Sequence, residues 1–201
     1  MGKPMLISPN YHVGDWTNLK LEGKDQREED WCKAVKILKD RLEGRFLKPA
    51  QALIDAEAGH EKGTFGFAIL ALDFLVIETI QGFREGLTDH QGQSSRLFTN
   101  FLAGWAEFLA CVPDVSKRKE KANDLYRNGR CALHHSGQTD NLRVGRSGAM
   151  IEFCGDGSIA VNRTEFHAGL SREFDRYLKK LKSGGSRRLR TNFKKKMDAI
   201  C

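Results

Sequence analysis

The sequence predicts a mainly α-helical fold, an antiparallel helical bundle with a small β-hairpin or sheet and a basic C-terminal extension. Three observations carry this. Apolar residues recur at three- and four-residue spacing through successive long stretches between residues 26 and 182, the period that gives a helix one buried face. Clusters of glycine, proline and polar residues separate those stretches. Only residues 142–162 change period, and there Gly155-Asp156-Gly157 is a strong hairpin signal. With 201 residues the chain suits one domain plus extensions, large enough to bury about two thirds of its extended-chain surface.

Residues 1–25 hold Pro4, Pro9, Gly14 and Gly23 without a sustained period, so an irregular N-terminal arm is expected, with room for a short strand over Met5 to Ser8. A helix is predicted from Asp25, acidic at its start with Glu28, Glu29 and Asp30. It is apolar on one face through Trp31, Ala34, Val35, Leu38 and Leu42, and it ends near Glu43. Gly44 and Pro49 predict a break or bend before a second piece that reaches about Ala58. Thr64 is the expected N-cap of the most apolar segment, Phe65 to Phe83, which should form the centre of the bundle.

Asp73 and Glu78 are out of place in that segment, because a buried carboxylate needs a partner. One reading pairs either of them with Arg127 or Arg130 and so orients the arginine. The sequence favours the other, a carboxylate at the bundle rim reaching water. Arg84 to Ser94 reads as a polar loop in which His90 is solvated. One helix is expected over Ser95 to Cys111, ending before Pro113, and another over Lys117 to His135, with capping groups at Asp114 to Ser116. Strands are expected at Leu142 to Val144, Ala149 to Cys154 and Ser158 to Val161, then a helix from Thr164 to about residue 182. Ser183-Gly184-Gly185-Ser186 reads as a flexible joint.

The charge is unevenly placed. The segment from Lys179 to the end has nine lysines and arginines against Asp198 alone, and the remainder is close to neutral. Arg187, Arg188, Arg190, Lys194, Lys195 and Lys196 are therefore candidate RNA-binding residues through non-specific, salt-dependent phosphate contacts. A disordered solubilising tail, or a helix crossing another subunit, explains the same run equally well. Five cysteines without close pairs suit reduced thiols. No apolar run resembles a signal peptide, and charges or glycines interrupt every hydrophobic segment, so a cytoplasmic protein without a membrane association is expected.

The chemistry concentrates in Asp124 to Thr139, DLYRNGRCALHHSGQT. On an ideal helix of about 3.6 residues per turn, Arg127, Arg130 and His134 share one stripe, and His135 lies about 140° from Arg130, within reach of a long side chain at a fraying end. Gly137 is the expected stop, with Gln138, Asp140 and Asn141 in the turn beyond it. A cation beside an imidazole at a helix C-terminus can hold phosphate and move a proton. Zinc at Cys131, His134 and His135 is disfavoured because adjacent histidines diverge by about 100° and no fourth ligand is near. A Cys131 nucleophile activated by His135 lacks an orienting third group. The bland reading makes the arginines surface ion-pair partners and the histidines helix caps.

Arg130-Cys-Ala-Leu-His-His135, preceded by Tyr126-Arg127 and followed by Ser136-Gly-Gln-Thr139, resembles the signature of the HEPN superfamily (higher eukaryotes and prokaryotes nucleotide-binding). The surrounding helix pattern agrees with the resemblance over roughly residues 26–182. It implies a helical bundle that pairs into a homodimer, a composite active site made by the two motifs, and a metal-independent endoribonuclease of a toxin or antiviral defence setting. It further implies RNA as substrate, no cofactor, and a cognate antitoxin or regulatory protein as a partner. Carried over by residue, Arg130 binds phosphate and His135 is the acid or base. Arg127 with His134 is the alternative pair, Asn128 supplying the polar residue after the arginine, and Glu78 is a candidate supporting carboxylate. A catalytically inactive module that binds a nucleotide or a protein is the alternative function. The chain departs from the toxin branch at Gly137, where those toxins carry a tyrosine that an antitoxin modifies, and this places inactivation by that route in doubt.

Overall fold

The computed structural model describes residues 5–23, 26–137 and 141–201. Helix makes up 65% and strand 8%, so the mainly helical class holds. Helix α4, Gly66–Glu85, runs through the centre with Ile69, Leu70, Phe74, Val76, Ile77, Ile80 and Phe83 buried, and Gly86 ends it in the left-handed region at φ 65°. It is long and apolar enough to cross a membrane by length and composition, yet most of it is covered by protein.

Thr64 is not its cap. Phe65 holds the N-cap position, and the carboxylate of Glu57 takes over the free N–H groups, accepting from Phe65 N at 2.6 Å, from the Thr64 hydroxyl at 2.9 Å and from Thr64 N. Its other oxygen pairs with Arg163, and both side chains are buried. Burial alone would raise this carboxyl; the hydrogen bonds from Phe65 and Thr64, with the Arg163 charge, bring it down to about 2.

Helix α2, Glu28–Leu42, does not break where expected. It passes through a π turn, Glu43–Leu47, straight into α3, Lys48–Ala56. A proline inside a helix lacks an N–H and crowds the carbonyl four residues earlier, here Arg45, and the widened turn before Pro49 relieves that crowding. Gly44 serves a different purpose, because a Cβ there would sit 2.6 Å from Pro9 Cγ.

Pro9 belongs to the N-terminal arm, whose described residues are ordered. Strands β1 (Leu6–Ser8) and β2 (Tyr11–His12) pair antiparallel and lead into α1, Val13–Thr17. Ile7 and Trp16 are buried, and Asp40 of α2 accepts from the Ser8 hydroxyl at 2.6 Å and from the Asn10 main chain at 2.9 Å. The expectation of an irregular arm is corrected accordingly.

The single helix expected over 95–111 is two, α5 (Ser94–Ala103) and α6 (Ala106–Cys111), separated at Gly104 and the fully buried Trp105. The motif segment follows as α7 (Arg118–Leu125), a π turn (Tyr126–Cys131) and α8 (Ala132–Ser136). Strands β3 (Leu142–Gly145), β4 (Ile151–Phe153) and β5 (Ile159–Asn162) form one sheet in the order β3-β5-β4, with the expected β4–β5 hairpin and a parallel β3. Asn162 then caps α9, Arg163–Ser183.

The basic C-terminal segment is a further correction. It is a packed helix, α10 (Arg187–Asp198), with Phe193 and Met197 fully buried and Phe193 meeting Trp16 edge-on at 5.5 Å. Leu189, Phe193 and Met197 recur every four residues, and that stripe, hidden among the cations, draws the helix onto the core. Arg190 lies under it. Its guanidinium covers Trp31 at 4.4 Å, pairs with Glu28 at 2.9 Å, and closes the end of α9 by donating to Leu181 O and Lys182 O, each at 2.9 Å. Gly184, at φ 68°, leaves space for it, since a Cβ there would meet the guanidinium at 3.1 Å.

Arg190→Ala is expected to lower unfolding stability by about 2–4 kcal/mol, because two helix-end carbonyls lose a charged donor and Trp31 loses its cover. Chemical denaturation checks this. A change within 0.5 kcal/mol, the range of an ordinary surface substitution, would mean that the C-terminal helix does not depend on this contact.

Candidate functional site

The site is built on α4. Glu78 points from this helix to the motif segment, where its carboxylate takes Arg130 in a fork, Oε1 to Nε at 2.5 Å and Oε2 to NH2 at 3.3 Å. Glu78 is 9% exposed and Arg130 18%, so the pair is largely shielded while one guanidinium edge reaches the surface. The Tyr126 ring lies 6.0 Å from the guanidinium and packs on Phe98 at 5.6 Å. Burial, then contact with Cys131, push the Tyr126 phenol above its ordinary value, which keeps it neutral.

The π turn sets this arrangement. Gly129 faces α4, and a Cβ there would come within 3.2 Å of Phe74 Cζ, so glycine lets the widened turn lie against the central helix. A wider turn also displaces the residues after it from their ideal-helix positions. Arg127, Arg130 and His134 consequently do not form one outward stripe. Arg130 turns inward to Glu78, Arg127 is exposed with no ion pair among the described residues, and Asn128 is half-buried.

His134 is exposed, and its Nδ1 lies 3.0 Å from Arg130 O. A carbonyl oxygen only accepts, so Nδ1 carries the hydrogen, and in the neutral ring Nε2 is left as a bare acceptor. His135 is also exposed and makes no hydrogen bond to Arg130. Gly137 ends the helix at φ 63° as expected, whereas Gln138, Thr139 and Asp140 lie outside the described residues.

The rim reading of the two α4 carboxylates is overturned. Asp73 is fully buried against His167, Oδ1 to Nδ1 at 2.8 Å, and burial pushes its carboxyl up while His167 opposes the rise. Glu78 is buried against Arg130, the pairing named as the other possibility.

The six basic residues assigned to RNA divide in two. Arg187, Arg188 and Lys195 are exposed. Arg190 and Lys196 are buried in internal contacts, and Lys194 pairs with Asp198 at 2.6 Å and Glu22 at 3.6 Å. Lys196 donates to Leu87 O at 2.7 Å and lies 2.6 Å from His90 Nε2, so His90 is not a solvated loop residue. The imidazole rests on Gly82, one turn along α4 from Glu78. Only structure reveals this cluster, since nothing in the loop around His90 signals a partner more than a hundred residues away.

Both groups titrate below their ordinary values. Burial, then the Arg41 charge, bring Lys196 down to about 8. Burial, then Lys196, depress His90, with Glu78, Asp89 and Glu85 acting in the opposite direction. From about pH 8 to 10.5 the unfolded chain holds a proton on Lys196 that the folded chain has released, so this group makes stability rise with pH across that window. In Lys196→Met that rise should be absent. Denaturation midpoints of both proteins at pH 7.5, 9 and 10 test it, and parallel curves would contradict the depressed lysine.

No protein-family model, no curated protein and no solved structure matches the chain, so the likeness to a known signature rests on the residues around Arg130 to His135.

Proposed function

We propose that the chain is a metal-independent endoribonuclease of the HEPN type, acting in the cytoplasm as a homodimer in a toxin or defence setting. The observation that carries this reading is the Glu78–Arg130 fork beside an imidazole of fixed tautomer. Phosphodiester cleavage by the RNA's own 2′-hydroxyl needs a base for that hydroxyl, an acid for the leaving 5′-oxygen and positive charge beside the phosphorane. Glu78 holds Nε and NH2 of Arg130 and leaves NH1 for a phosphate oxygen. His134, with Nδ1 fixed on Arg130 O, presents Nε2 as the proton acceptor, and His135 or the second copy's imidazole supplies the acid. The favoured pair thus becomes Arg130 with His134, mixing the two pairs that the spacing allowed. RNA and a second copy are the partners, and an antitoxin or regulatory protein would act on this same surface.

One observation favours the alternative, an inactive HEPN-like module that binds a nucleotide or a protein. Glu78 already neutralises Arg130, and a cavity of about 530 Å³ lies elsewhere, between Trp31 and Arg187.

Incubation with single-stranded RNA in EDTA separates the two. Cleavage should fall at least about 100-fold in Arg130→Ala and in His134→Ala, the usual weight of an electrostatic or acid–base group. It should fall less in Arg127→Ala. Cleavage that survives both of the first two substitutions, or that is absent from the wild-type protein, leaves the binding module.

A further inference from the structure

The groove between α2 and α9 carries cations that the rest of the molecule does not use. Arg190 touches both Glu28 at the start of α2 and Lys182 at the end of α9, and Lys39 meets Asp175 at 3.7 Å farther along, so the helices run antiparallel. Cys32, Val35 and Leu178 form the floor of a cavity of about 260 Å³ between them. Four lysines rim it. Lys39 is compensated by Glu43 at 3.3 Å and by Asp175. Lys36, Lys179 and Lys182 are exposed and form no ion pair with any described residue. Lysine near the end of α9 is favoured by the helix dipole, but Lys36 sits mid-helix, where no such term applies.

Three uncompensated ammonium groups along one groove suit a polyanionic strand, whose successive phosphates they would contact. Helix α10 has by contrast turned two of its six expected RNA contacts, Arg190 and Lys196, inward and holds a third, Lys194, in ion pairs with Asp198 and Glu22. We infer that the α2–α9 groove is where single-stranded RNA binds, its phosphates on Lys36, Lys179 and Lys182. The identity of the polymer rests on the ribonuclease reading, whereas the position of the groove does not.

The test uses a fully 2′-O-methylated oligonucleotide of roughly 20 residues, long enough to fill one groove and unable to be cleaved through its 2′-oxygens. Fluorescence anisotropy is followed over a salt series for the wild-type protein, K36E/K179E/K182E, its milder counterpart K36Q/K179Q/K182Q, and R187E/R188E/K195E. The first triple variant should bind at least tenfold more weakly, and the glutamine triple, which removes three phosphate contacts without adding charge, should lower the slope of log affinity against log salt by about 2. The α10 variant should stay within twofold of wild type. Unchanged binding in both groove variants, a larger loss in the α10 variant, or wild-type protein that takes up phosphatidylserine vesicles but no oligonucleotide would each overturn the proposal. Arg130→Ala should retain this binding while losing cleavage. Lysine-dependent binding by a wild-type protein that cleaves no RNA would end the ribonuclease reading and leave the groove standing.

Discussion

Two carboxylates on the most deeply buried helix constrain how the rest of the chain packs. A carboxylate removed from water is costly unless a partner satisfies it, and α4 carries two, at Asp73 and Glu78, facing different neighbours. Helix α9 meets the first demand with His167, and the π turn between α7 and α8 meets the second with Arg130. The apolar residues of α4 would pack against almost any amphipathic partner. The carboxylates accept few, so they select which helix lies on which side and at what height. Among the described residues Asp73 Oδ2 has no hydrogen-bond partner, and burial raises its carboxyl while His167 opposes the rise. Glu78 is better supplied, with both oxygens on one guanidinium.

Two π turns complete the scaffold, and each solves a local conflict. The first, ahead of Pro49, keeps α2 and α3 as one rod under the N-terminal arm. The second places Gly129 against Phe74 and brings Arg130 round to Glu78. An unbroken α-helix through Arg130 would keep Arg127, Arg130 and His134 on a single face, with no reason for one of the three to turn inward. Widened turns of this kind are uncommon and concentrate at functional sites. Here the widening separates an inward guanidinium from outward imidazoles within five residues.

Periodicity and local turn residues made the central helix, the β4–β5 hairpin and the glycine stop at Gly137 legible, because each depends on neighbours in sequence. The joint expected at Ser183 to Ser186 instead holds the end of α9 at Gly184 and the cap of α10 at Ser186. What was not legible depends on distant partners. The N-terminal arm lacks a period, and it is ordered by Asp40 and by α10. In α10 the density of positive charge concealed the spacing of Leu189, Phe193 and Met197, a signal that was present and outweighed. His90 and Lys196 meet across more than a hundred residues with no local pattern in either. Within the motif, the identity of the side chains could be read but not their directions, since an ideal helix was assumed where the chain forms a π turn.

The pairing of Arg130 with Glu78 also limits what one copy of the site can do. The carboxylate that orients the guanidinium cancels most of its charge, so the pair is well placed but nearly neutral toward an incoming phosphate. A phosphorane carries more negative charge than the diester it forms from, and a neutral pair gains little as that charge develops. Further positive charge has to be supplied at the same surface. Arg127 is exposed and has no ion pair among the described residues, three positions before Arg130, and the exposed His134 and His135 follow four and five positions after Arg130. A second copy would double all three. If RNA is cleaved here, the electrostatics of Glu78 thus favour two facing motifs over one, an argument for the dimer that is independent of the resemblance in the signature residues.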